Sequence, residues 1–340
     1  MIKKISIGDI ATALNISKST ISFIINGKAK EKRISSALTE KVLQYIDENG
    51  YKPSRLAQSL STGKTMIIGL MVEKISDYFF AQMAYHIEEI AYQNGYKIFY
   101  CSTDNDPDKT RELIQLFRDR NVDGYIITPP AGMEKEIQSL MDEGSPVVLF
   151  DRYYPDIESS YVILDNFKAS YNASKYLAEH DFAHIAFITL DSDQSQMEDR
   201  KQGYAKAMAE HGLEVIVEKI PYGNDPAQTV KQLVRFLRQN KRVDAVYFAT
   251  NYLAFSGVKA INQLGYKIPG TMAIIAFDDH QVFDFYEPTI TAVAQPISEL
   301  ARQSIRVLLS LLNKPLEERA VQKVIVPAHF IIRDSTARLL

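Results

Sequence analysis

From residue 66 onward the chain alternates short apolar runs with amphipathic stretches, and no other feature constrains its fold as strongly. Short runs without polar alternation belong to strands buried on both faces, the habit of parallel sheets. Parallel strands need a long crossover, usually a helix. The runs lie at 66–72, 96–101, 124–128, 147–151, 161–164, 185–189, 215–220, 245–250, 273–277 and near 323–330. Helical periodicity fills 79–94, 108–121, 134–143, 167–180, 200–211, 227–240, 254–264 and 297–312. Within 108–121 the expected inward set is Leu113, Leu116 and Phe117. This grammar predicts an α/β core of two doubly wound parallel-sheet lobes. Ligands of such sheets bind beyond the carboxyl ends of the strands. With two lobes, that places a site in the cleft between them.

The first 64 residues read differently. Ser6 followed by Asp9 makes a helix N-cap with a capping-box acid. Ile7, Ile10, Ala11 and Leu14 share a helical face, and Asn15 and Ile16 turn the chain. Ser17 caps a second helix, which Asn26 and Gly27 stop. Two short helices with a tight turn form a helix-turn-helix, whose second helix enters the DNA major groove by its N-terminal end. There stand Lys18, Ser19, Thr20 and Ser22, side chains able to bond base edges and phosphates. Spacing alone also fits a small helical hairpin with a wet polar face. A charged loop follows at 28–33, then a third helix from Ser35 with Leu38, Val42, Leu43 and Ile46 at core spacing.

Charge supports the DNA reading. Residues 1–64 carry 11 Lys and Arg against 5 Asp and Glu, while the other 276 residues carry 28 against 37. A basic module on an acidic body is the footprint of a nucleic-acid binder. One cysteine, Cys101, leaves no intrachain disulfide and suits a reducing cytoplasm; its strand context predicts a structural thiol. The N-terminus lacks the apolar core of a signal peptide, and the longest apolar run is too short to span a bilayer. No metal-binding pattern and no cofactor motif appears: there is no GxxxxGK[ST], GxSxG or HExxH. His180, His184, His211, His280 and His329 lie scattered at helix ends and loops and are expected to be surface or capping residues. The expected location is the bacterial cytoplasm, at the nucleoid when bound to DNA.

Several motifs, in order, carry a resemblance that covers the whole chain: IGDIATALNISKSTISFIINGK, ENGYKPSRLAQSLSTGKT, IGLMV, VDGYIITP, PVVLFDR, HIAFI, DRKQGY, AIIAFDD, TAVAQP and IIRDST. Together they resemble the lactose-repressor/galactose-repressor family of bacterial transcription regulators. The resemblance implies a DNA-binding headpiece at 1–50 and a hinge at 51–64. It implies a core like periplasmic sugar-binding proteins, with one lobe at 65–163 and 294–322 and the other at 164–293 and 323–340. It implies a homodimer reading a near-palindromic operator. Lys18, Ser19, Thr20, Ser22 and Phe23 would face the major groove; Ser6, Ser17, Asn26, Lys28 and Lys30 would meet phosphates. A hinge helix would order on the operator, with Leu60 wedged into the minor groove beside Arg55 and Ala57. The effector, a sugar or sugar derivative, would meet Phe79, Phe80, Asp151, Arg200, Asn251, Asp278 and Gln295.

Two carboxylates, an arginine and two amides can bracket vicinal hydroxyls, and Phe79, Phe80, Tyr222 or Phe283 could stack on a sugar face. Taken singly, Asp278 and Asp279 could instead cap a turn, Arg200 could be an ion-pair strut, and the phenylalanines ordinary core. Departures from the family pattern are Phe23 in place of an arginine, a longer basic loop at 28–33, Tyr252 in place of an acid, and residues 194–198 without the small-residue run. No C-terminal leucine heptad is present, so a dimer is expected. The competing readings are a transport-type sugar-binding protein, which a basic headpiece disfavours, and an enzyme with Asp151 and Asp278 as a glycosidase pair.

Overall fold

The computed structural model describes residues 5–51 and 63–337. The hinge expectation, with Arg55, Ala57 and Leu60, lies outside them. The chain divides into two compact units, Met1–Thr65 and Met66–Leu340.

The first unit is built from α1 (Ile7–Leu14), α2 (Lys18–Ile25) and α3 (Ser36–Glu48). Each starts at a serine whose hydroxyl accepts a backbone N–H: Ser6 from Asp9, Ser17 from Thr20 and Ser35 from Leu38. Asp9 closes the capping box on the Ser6 backbone. Asn15, at φ 54°, stops α1 in the left-handed conformation that asparagine tolerates. Ile10, Ile21, Ile24 and Val42 form the buried centre, with Leu14, Leu38 and Ile46 around it. Leu43, expected inward, is exposed. It lies one residue, or about 100°, around the helix from buried Val42.

The second unit holds two six-stranded sheets. In one, β1 (Ile67–Val72), β2 (Lys97–Ser102), β3 (Gly124–Ile127), β4 (Val147–Phe150) and β5 (Ser160–Leu164) are joined by β11 (Lys323–Val326) in the order β11-β5-β4-β3-β1-β2. In the other, β6 (Ile185–Asp191), β7 (Ile216–Pro221), β8 (Ala245–Phe248), β9 (Ala273–Phe277), β10 (Thr291–Ala294) and β12 (His329–Ile331) follow the order β12-β10-β9-β8-β6-β7. All pairings are parallel except β10 with β12. The two lobes therefore share one wiring, and the chain passes between them three times.

The helices of the core are α4 (Tyr78–Gln93), α5 (Pro107–Asp119), α6 (Glu134–Asp142), α7 (Asn166–Glu179), α8 (Ser195–Glu210), α9 (Pro226–Gln239), α10 (Asn251–Gln263), a short α11 (Val282–Phe285) and α12 (Ile297–Leu312). Helix α12 returns to the first lobe, where it packs on α4 and β3–β5. Among the described residues no helix is long and apolar enough to cross a membrane.

Four expectations need correction. The run at 323–330 is two strands in different sheets, and β11 belongs to the first lobe, not the second. Pro327, which lacks an N–H for any ladder, stands between them. Residues 195–199, expected outside the helix that follows, are the first turns of α8. Strand β10 and helix α11 had no counterpart in the sequence reading. In α5 Thr110, Ile114 and Phe117 are buried and Leu113 packs partly buried against the same core, while Leu116 is exposed.

Candidate functional site

A cleft of about 400 Å³ opens between the two lobes, within the roughly 300–1,000 Å³ of ligand pockets. All seven residues expected to meet an effector line it: Phe79, Phe80, Asp151, Arg200, Asn251, Asp278 and Gln295. The strand-end rule explains the convergence. Asp151 follows β4, Asp278 follows β9 and Gln295 follows β10, while Asn251 opens α10 behind its N-cap Thr250. Phe79 and Phe80 sit in the first turn of α4, behind the N-cap Asp77.

Asp151 and Asp278 adopt left-handed backbone, at φ 69° and 67°. Aspartate tolerates this region better than most residues, and at both places it lifts a carboxylate over the end of the sheet. Asp278 accepts from Gln295 Nε2 at 2.6 Å and lies 3.5 Å from Arg200 Nη1. Arg200 is 2% exposed. Its Nε donates to Asn166 Oδ1 at 2.9 Å, and its Nη1 to the Ala249 carbonyl at 2.6 Å. Its guanidinium lies 3.5 Å from the centre of the Phe277 ring. Arg200 is thus an ion-pair and hydrogen-bond strut that also lines the cleft.

Helix α8 can carry Arg200 to this place because Gly203 lets it close on α7. A Cβ on Gly203 would meet the Phe167 carbonyl at 2.2 Å. Ser170 of α7 also donates to the Arg200 carbonyl at 2.6 Å.

On the first lobe the electrostatics differ. Burial pushes the Asp151 carboxyl up to about 6, against the pull of Arg152 and Arg200. Arg152, itself buried, pairs with Glu73 and lies 3.3 Å from Asp151. Asp77 is also raised, by burial first and then by the charges of Asp278 and Glu73. Tyr222, from the second lobe, donates to Glu73 at 2.7 Å and accepts from Asn105 at 2.9 Å. A polar chain Asp151–Arg152–Glu73–Tyr222–Asn105 therefore links the two lobes beside the cleft.

Sequence reasoning missed Glu73, Asp77, Gln196 and this chain. Glu73 carried a signal, since it stands just past the end of β1. Gln194, Gln196 and Met197, from the atypical run at 194–198, line the cleft with Tyr252 and Tyr222. Phe283, one of the alternatives for stacking on a ligand, is 1% exposed and packs against Phe255 and His280. Asp279 does not reach the cleft wall; Arg333 of the closing IIRDST motif grips it by two bonds of 2.9 Å. His180 and His211 bond backbone carbonyls one turn back, at 2.7 and 2.8 Å, as helix-end residues. The Cys101 thiol is half-buried and pushed up by burial.

In the first unit, the side chains expected at DNA split into two sets. Ser17 Oγ bonds Ser19 Oγ at 2.8 Å and Thr20 Oγ1 at 2.7 Å, so these hydroxyls form one capping cluster. Ser6 is taken up with Asp9, and Asn26 Nδ2 donates to Ser22 Oγ at 3.3 Å. Lys18, Lys28 and Lys30 are exposed. Phe23, half-buried, carries the Lys32 ammonium 5.5 Å from its ring centre.

Comparison with known proteins gives a consistent picture. A profile described as "Bacterial regulatory proteins, lacI family" matches residues 6–54, and one described as "Periplasmic binding protein-like domain" matches 174–336. The HTH-type transcriptional repressor PurR of Pasteurella multocida is 30% identical over 320 residues, 93% of this chain and 94% of the relative. The ribose operon repressor of Halalkalibacterium halodurans is 30% identical over 332 residues, 97% of each chain. Among solved structures, the lac repressor dimer bound to operator and the anti-inducer ONPF aligns at TM-score 0.83, covering 99% of this chain and all of that one at 19% identity.

Proposed function

The chain belongs to the lacI family of bacterial regulatory proteins, and from that premise we propose that it is a homodimeric repressor whose grip on operator DNA is set by a small polyhydroxylated effector in the interlobe cleft. The observation that carries this reading is the convergence of Phe79, Phe80, Asp151, Arg200, Asn251, Asp278 and Gln295 on one cleft, in a chain that opens with a helix-turn-helix. Its relatives are transcriptional regulators, so the carboxylates serve binding and not turnover.

The α2 face supplies DNA contacts, with Lys18 and Phe23 as the side chains least committed to the capping cluster. Lys28 and Lys30 supply phosphate charge, and the DNA-bound protein works at the nucleoid. Effector binding changes the relation of the two lobes, and with it the population of DNA-competent dimers. That coupling is reciprocal: operator and effector alter each other's affinity by the same factor.

The test is operator binding. An operator is selected from a randomised near-palindromic library with the full-length protein, and its Kd is measured with and without ribose and related sugars. One sugar is expected to shift the Kd by roughly 5- to 150-fold, and Asp278→Asn to remove the shift while leaving sugar-free DNA binding in place. An operator Kd unmoved by any sugar that binds the core would overturn the regulatory reading.

A further inference from the structure

The charge balance of the cleft discriminates among ligands. We propose that it accepts polyhydroxylated ligands that are neutral or carry an ammonium group and rejects phosphorylated or carboxylated ones, with Glu73 and Asp77 setting that preference. This rests on the cleft being the effector site.

Four carboxylates line the cleft, Glu73, Asp77, Asp151 and Asp278, against two cations, Lys74 and Arg200. Lys74 is exposed to water, where its charge is screened. Arg200 is buried, with Nε and Nη1 held by Asn166 and Ala249 and Asp278 beside it. A third cation, Arg152, lies outside the lining and is shared by Glu73 and Asp151. Among the described residues no cation pairs with Asp77; it caps α4, accepting from Phe79 N at 2.9 Å. The helix N-terminus offsets part of its charge, yet Asp278 and Glu73 act on it as like charges.

The wall also offers an acceptor without a donor. Gln196 is 4% exposed and lines the cleft, and its Oε1 has no hydrogen-bond partner while its Nε2 donates to Gln194 at 3.2 Å. Gln196 and Asp77 both call for donors. Sugar hydroxyls and an ammonium donate; a phosphate brings mainly acceptors and more negative charge, and burying it beside carboxylates is costly.

The experiment titrates the full-length protein calorimetrically with matched ligands: ribose against ribose 5-phosphate, and glucose against glucosamine and glucose 6-phosphate. Asp77→Asn and Glu73→Gln are titrated alongside. The unphosphorylated member of a binding pair is expected to bind at least about tenfold tighter, a difference of about 1.4 kcal/mol, and Asp77→Asn to narrow that gap. Asn keeps the helix cap, so ligand-free Asp77→Asn is also expected to melt higher than the parent at low salt, as a repulsion is removed. Equal or tighter binding of a phosphorylated member overturns the inference and leaves the effector reading standing. Silence across the panel counts against the effector reading; the ligand-free melting temperature then decides alone, and an unchanged or lower value overturns the charge argument.

Discussion

The two lobes place an aspartate at the same point of the same wiring and then treat it differently. Strands β4 and β9 hold equivalent positions in their sheets, and each ends in a phenylalanine followed by an aspartate at positive φ. The next residue decides the environment. In the first lobe it is Arg152, which turns to Glu73 and so to the chain of groups that reaches across to Tyr222. In the second it is Asp279, which turns to Arg333 within its own lobe. Asp278 is gripped from the side by Gln295 and faced by Arg200, whereas Asp151 is held in a dry site that resists its charge. Similar left-handed φ thus goes with one aspartate held in a hydrogen-bonded frame and one whose carboxyl is raised by burial. The second lobe thus offers the cleft a hydrogen-bonded wall, and the first a wall responsive to pH.

The sharpest way to break this comparison is to remove the frame. Arg200→Met keeps much of the side-chain length but leaves Asp278, Asn166 Oδ1 and the Ala249 carbonyl without their guanidinium partner. Breaking a buried ion pair from one side costs about 3–5 kcal/mol. Urea unfolding of the full-length protein is expected to show a loss of that size, together with loss of any sugar response. A wild-type midpoint would mean that the second lobe does not depend on Arg200, and the contrast between the walls would fail.

The responsive wall has a pH signature. Asp151 has a folded value of about 6 against 3.8 for the unfolded chain, so between those values the folded state keeps a proton that the unfolded state has lost. Stability therefore falls as pH rises through this window. The cost is absent below about pH 4, complete above about pH 6, and at most about 3 kcal/mol. Asparagine suits the left-handed backbone and carries no charge, so Asp151→Asn is expected to gain stability relative to the parent between pH 4 and pH 7. Asp77 and Asp199 are raised too but are common to both proteins and cancel in the difference. Parallel pH profiles for the two proteins would remove the titrating wall.

Much of this was readable beforehand, for a physical reason. Asp151, Asn251, Asp278 and Gln295 were named through the family motifs; strand ends account for the placing of Asp151 and Asp278, whereas the strand before Gln295 and the helix start at Asn251 became visible only in the structure. The headpiece helices were legible because Ser6, Ser17 and Ser35 declare their own caps. What escaped depends on distant partners. Nothing near Tyr222 in sequence announces Glu73, 149 residues away. Leu43 and Leu116 satisfy a loose apolar count, but the packed face is set by which neighbours cover it. The division of 323–330 between two sheets follows from where β5 and β10 offer free edges, which no periodicity records.

The smallest expected effect tests the contact that joins the two walls. Tyr222 is 44% exposed, so its hydrogen bond to Glu73 competes with water and contributes about 1 kcal/mol or less to stability. Tyr222→Phe keeps the ring against the cleft and deletes only the hydroxyl that bridges the lobes. Its unfolding midpoint is expected to move little. Under the proposed mechanism its effect belongs in the equilibrium between lobe arrangements, where a bias of about 1 kcal/mol changes the population ratio roughly fivefold. Small-angle scattering of the ligand-free protein and the operator Kd, measured with and without sugar, read that equilibrium. If both match the parent, Tyr222 is a rim residue and the two walls communicate only through whatever ligand lies between them.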